Sequence, residues 1–337
     1  MFFKHLTPAD APMMAAAVVG ACRLDGWALD AQPTLLGSIF SRMLDFHEDF
    51  RTLAPATIHQ VKIAFPEAEH RSELLDLMIA MEFMCHELSP ALSASVDTWA
   101  RELGVQEYAL DVAREVAAGK IAEAGVDFYR LGYIGEFAKT LPNFDQLFER
   151  YGIKAYAMTL EEDPELAARF DALEHCAPGT LGRALWDFYT ARGFSFPGTL
   201  NSVNMGIAQH DWVHVLADYG TTSVGELEVA AFRSTSSDSP GAMFNFIGII
   251  GMFQGGLFAS ALVRKNDDHV LQFPGAIDRI ADAMRRGREC NTELFMGERI
   301  FAYADRPLAE LRELWSIPRK DVDHSPGWDL REEALAE

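Results

Sequence analysis

Apolar positions recur at intervals of three and four along most of this chain, the spacing of one face of an α-helix. The stretch 73–85, ELLDLMIAMEFMC, shows it densely. The stretch 93–103, SASVDTWAREL, shows it again after Ser89-Pro90, a pair suited to starting a helix. Residues 107–118, 164–173, 180–191, 276–288 and 307–315 follow the same spacing, and Gly or Pro punctuates most of them. No run alternates strictly, as a half-buried strand would. The pattern predicts an all-α fold.

Two helical domains are expected, with a boundary near Thr140-Leu141-Pro142-Asn143. Residues 1–29 read as an amino-terminal arm and 30–140 as a first helical domain. Residues 141–320, richer in Gly, Phe and Trp, read as a second helical domain. Residues 321–337 hold six acids and one arginine and read as a solvated tail. Between Asp238 and Arg264 there is no charge at all, and 241–263 is long enough to span a bilayer. Its Gly251-x-x-x-Gly255 spacing would let helices approach closely. Five glycines, Asn245 and Gln254 argue instead for a buried or lipid-contacting helix, apolar all round because it is surrounded.

Composition narrows the function. With 337 residues and 49% hydrophobic content the chain can bury a real core. A formal charge of −21 speaks against a duplex nucleic acid partner, which needs a basic face. Cys22, Cys85, Cys176 and Cys290 are scattered, so neither a disulfide framework nor a thiolate zinc site is indicated. The first residues lack an apolar signal core, and a cytoplasmic protein is expected.

The chemistry concentrates in 209–226, QHDWVHVLADYGTTSVGE. His210 and His214 are four apart, one helical turn, on one face and close enough to share a metal ion. Asp211 lies about 100° round the helix, placed either as a further ligand after local adjustment or as a partner orienting an imidazole. Gly220 is expected to end the helix, and Glu226 to present a carboxylate from the start of the next. Two imidazoles with carboxylate suit Zn²⁺ or non-haem Fe(II) with open positions. Ser223-x-x-Glu226 is also a capping-box pattern, which would occupy Glu226 without any metal.

His210-Asp211-x-x-His214 followed by eleven residues and Glu226 resembles the signature of the coenzyme Q biosynthesis protein 4 family. The stretch Pro178-Gly179-Thr180-Leu181-Gly182-Arg183-Ala184 and the closing helices around Arg286-Gly287-Arg288 and 307–317 resemble that family as well, and the likeness spans about residues 141–320. The resemblance implies an all-helical fold and a metal-linked step of ubiquinone biosynthesis. Its substrate would be a polyprenylated hydroxybenzoate-type head group, and its reaction oxidative decarboxylation at ring carbon 1. It equally implies a scaffold gathering other ubiquinone biosynthesis proteins. Peripheral contact on the inner face of a membrane is a separate expectation, tied to an apolar patch beside a tail site. Homo-oligomerisation is left open. A zinc hydrolase is a third reading, set back because no Glu directly follows His210.

Residues 75–104 resemble a tellurite-resistance TerB-like helical domain, which implies Glu82, His86 and Glu87 as candidate cation ligands; solvated acids at a helix end are the plainer alternative. Arg183 is a candidate clamp for a substrate carboxylate, or else a surface ion-pair partner. Trp186 and Trp212 are candidates to line a tail cavity, or else plain core.

Overall fold

The computed structural model describes residues 2–239, 241–257 and 269–321. The described chain is helical throughout, with only isolated bridges, Met158 with Val203 and Thr180 with Pro307, in place of strands. The expected all-α class is borne out.

The amino-terminal half holds α1 (Ala11–Cys22), α2 (Ala31–Leu44), α3 (Ile58–Ala64), α4 (Ala68–Phe83), α5 (Pro90–Leu103), α6 (Tyr108–Ala117), α7 (Ile121–Leu131) and α8 (Tyr133–Ala138). The remainder holds α9 (Phe144–Tyr151), α10 (Lys154–Ala157), α11 (Pro164–Asp171), α12 (Leu181–Ala191), α13 (Met205–Ala217), α14 (Ser223–Ser236), α15 (Gly241–Phe253), α16 (Ala276–Glu289) and α17 (Leu308–Leu314). Helix starts follow local chemistry. The Ser89 side chain accepts from Leu92 N ahead of Pro90, and Thr180 accepts from Arg183 N, each satisfying an orphan amide. Gly104 ends α5 at φ 68°, in the left-handed region.

Residues 1–29 contain α1, which is buried along most of its length and packs on α4 and α5. Phe2 N donates to Ser234 O at 2.8 Å, so the first residues are tied to α14. One contiguous apolar core runs through both halves, across Thr140–Asn143, with α15 packed on α4 and α16 on α2. The tail beyond Asp321 lies outside the described residues.

The centre of the fold is α14, buried on nearly every side and packed between α15 and α16. Gly287 permits the α14–α16 approach: a Cβ there would stand 2.0 Å from Phe232 O. Across the same contact the guanidinium of Arg279 pairs with the Glu228 carboxylate, both buried.

The uncharged run forms α15, which ends at Phe253; residues 258–263 lie outside the described part. Its glycines are seats for aromatic rings. A Cβ at Gly251 would meet Phe83 at 2.5 Å, and one at Gly248 would meet Phe128 at 1.9 Å. Among the described residues no helix is long and apolar enough to cross a membrane.

In the TerB-like stretch Glu82 is fully buried. Arg114 holds its carboxylate in a bidentate fork at 2.6 and 3.2 Å, and Ser93 donates to it as well. His86 and Glu87 are exposed, and the His86 ring stacks on His269. The carboxylate expected to join His86 at a cation is neutralised by an arginine instead.

Candidate metal centre

α13 begins at Asn204, whose side chain accepts from Ile207 N while its amide donates to Tyr156 O. The helix stops at Ala217, three residues before the expected Gly220, because Asp218 turns left-handed at φ 62°. The next helix is capped by Thr222, which accepts from Gly225 N. This corrects the Ser223-x-x-Glu226 capping box. With the cap at Thr222, Glu226 falls one place beyond the capping position and its side chain turns towards α13 instead. Gly225 makes that approach tight, since a Cβ there would lie 2.0 Å from Gly220 O. The start of α14 also favours a negative side chain through the helix dipole.

The carboxylate of Glu226 lies between the two imidazoles. Its Oε2 is 3.1 Å from His210 Nε2, and its Oε1 is 3.5 Å from His214 Nε2. On the other edge of the His210 ring, Nδ1 lies 3.3 Å from Asp211 Oδ1. The donor atoms of His210, Asp211 and His214 all fall within 4.8 Å of one another. The four sequence-predicted donors are therefore brought together.

Proton placement on His214 follows from its partners. Nδ1 is 3.3 Å from the carbonyl of Tyr219, which can only accept, so Nδ1 carries hydrogen. Nε2 is buried, has no hydrogen-bond partner and faces a carboxylate. Two acceptors facing each other repel unless a proton or a metal cation lies between them. The donor set and this orphaned nitrogen fit a divalent ion. Burial works against charge on His210, but Glu226 and Asp211 outweigh it and raise its pKa to about 10. Burial likewise opposes ionisation of Glu226, yet the adjacent imidazoles hold its pKa well below the usual carboxylate range.

Two aromatic side chains of α12 complete the surroundings, and neither was found by sequence reasoning. The Phe188 ring stacks on His214 at 5.7 Å. The Tyr189 hydroxyl donates to Asp211 Oδ2. Burial and the negative Asp211 push the Tyr189 pKa up, so the hydroxyl keeps its proton. No local motif marks Tyr189, which is 22 positions from its partner.

His210, Asp211, His214, Glu226 and Tyr189 line a cavity of about 560 Å³. The rest of its lining is largely apolar, with Phe128 from α7, Ile207 from α13, and Ile249 and Met252 from α15, and includes the polar side chains of Ser195, Ser202 and Asn245. Trp212 is fully buried against Phe170 and Phe301 and belongs to the core. Trp186 and Arg183 are not among the lining residues. Arg183 Nε donates to Asp187 at 2.8 Å, and its guanidinium lies over the Trp186 ring.

No protein-family model matches the chain, and no curated protein matches it. A crystal structure of a "putative ubiquinone biosynthesis protein" from Nostoc punctiforme PCC 73102 is similar over 72% of this chain and 96% of its own. The TM-score is 0.33 and the identity 18%. That likeness is too loose to carry over an activity.

Proposed function

We propose that the chain is a metal-dependent protein of ubiquinone biosynthesis acting on a polyprenylated hydroxybenzoate-type head group. The observation that carries this reading is the convergence of His210 Nε2 and His214 Nε2 on one Glu226 carboxylate. It stands at the wall of a cavity whose remaining lining is largely apolar. The signature resemblance of His210, Asp211, His214 and Glu226 supplies the substrate class. His210, His214 and Glu226 would hold the ion. Asp211, on the far edge of the His210 ring, orients that imidazole. When bound, Zn²⁺ supplies Lewis acidity, and Fe(II) supplies dioxygen activation as well.

The chain's own contribution is positional. The walls from α7 and α15 take the prenyl tail by apolar burial and keep water from the head group. Phe188 and the Tyr219 carbonyl hold the His214 ring in one orientation. The reaction is oxidative decarboxylation. The ring–carboxylate bond breaks, carbon dioxide leaves, and one oxygen atom of dioxygen becomes the phenol oxygen. The other leaves as water with two electrons and two protons from an external reductant.

The test combines elemental analysis of anaerobically purified protein with a polyprenyl hydroxybenzoate supplied under air with reductant. Iron-dependent release of carbon dioxide is expected. Unchanged substrate retained with the protein would point to a lipid-holding scaffold. Protein that neither holds an ion nor retains the lipid would end the proposal.

A further inference from the structure

Asp211 is a short side chain on α13 and can satisfy two groups, one with each oxygen. Oδ1 faces His210 Nδ1 at 3.3 Å. Oδ2 accepts from Tyr189, whose side chain is 1% exposed and reaches across from α12. A carboxylate held at one oxygen alone can rotate about its last torsion, which has broad wells. Held at both, it presents one defined acceptor to the imidazole. With His210 Nδ1–H donating to Asp211, the Nε2 that meets Glu226 at 3.1 Å is the nitrogen that would give up its proton to an ion. We infer that Tyr189 is a positioning residue of the metal centre, acting through Asp211 to fix the tautomer and plane of His210.

This role rests on the metal reading above and adds a residue from a different helix to it. Packing alone does not require the hydroxyl. The Tyr189 ring is already seated among Phe170, Phe194 and Phe196, which a phenylalanine would contact equally. Tyr189 also lines the cavity that holds the histidines. Outer partners of metal-bound imidazoles of this kind alter ion affinity by about 10–100-fold when removed.

The experiment measures Co²⁺ affinity by chelator competition, together with the visible spectrum of the bound ion. It uses the full chain, Tyr189→Phe, Asp211→Ala and the double variant. Tyr189→Phe is expected to weaken Co²⁺ binding by about 10–100-fold and to shift the visible bands. In the Asp211→Ala background the same change is expected to alter affinity by less than about twofold, because the residue acts through the one already lost. Should Tyr189→Phe fail to fold, Asp211→Asn replaces it, with the same direction of loss expected. Wild-type affinity in Tyr189→Phe, or an equal loss in both backgrounds, overturns the inference while leaving the metal centre standing. A wild-type chain that binds no divalent ion overturns both.

Discussion

His214 and Glu226 face each other across 3.5 Å, an orphaned ring nitrogen against a carboxylate oxygen, from two helices joined by a turn of five residues. The relationship makes a direct demand on Glu226. Replacing Glu226 with Gln removes the anion and offers an amide in its place. Divalent-ion affinity is expected to fall by more than the ~100-fold that loss of an outer partner produces. Isothermal titration of the two proteins with Zn²⁺ checks this, and equal affinities would remove Glu226 from the centre.

Ion binding should depend steeply on pH. The His210 pKa of about 10 leaves its imidazole protonated at neutral pH in the ion-free chain, whereas a metal needs the bare Nε2. Each ion bound through His210 then displaces one proton. Apparent affinity is expected to rise about tenfold per pH unit from roughly pH 7 to 9 and to level off above 10. The opposite sign holds for stability without metal. A folded pKa raised above the ordinary 6.5 gives a contribution that is full below that value and lost as pH rises through about 10. Proton release in buffers of different ionisation enthalpy reads the first effect, and thermal melts with chelator read the second.

Glu73 provides a pH effect far from the metal. Burial pushes its pKa up to about 7, against the opposing hydrogen bond from Lys4 N, and its Oε2 has no partner. Because the folded pKa lies above the unfolded one, the contribution of Glu73 is complete below about pH 4.5 and disappears as pH rises through 7. Glu73→Gln is therefore expected to stabilise the protein by about 2–3 kcal/mol at pH 8 and to change little at pH 4. Denaturant melts at the two pH values distinguish this from a uniform shift.

Gly287 sets two magnitudes against each other. Alanine in a helix interior gains about 1 kcal/mol over glycine. Here its Cβ would stand 2.0 Å from Phe232 O and 2.4 Å from Thr235 Oγ1, and the first of these is backbone. Separating α14 from α16 is expected to cost about 3 kcal/mol, so the steric term wins. A Gly287→Ala protein that melts at or above the wild-type temperature would refute this account of the contact.

Helix class and much of helix placement were legible in the chain itself. The stretch 180–191 matches α12 to one residue, since Thr180 caps it through a local bond. At 164–173 the agreement is looser, because α11 ends at Asp171 and the chain continues as a 3₁₀ turn over Ala172–His175. The uncharged run shows what periodicity leaves open. Its glycines are equally consistent with a bilayer helix, and only Phe83 and Phe128 filling the spaces beside them make α15 part of a protein core.

By itself the sequence determined that His210 and His214 share a helical face, because a separation of four residues is one turn in any α-helix. Where the Glu226 carboxylate points was decided by tertiary structure. Capping box and metal ligand use the same side chain, and the choice turned on a cap at Thr222 and a close pass of Gly225 over Gly220. Tyr189 was out of reach for the same reason: its bond to Asp211 depends on how α12 packs against α13, which no local spacing encodes.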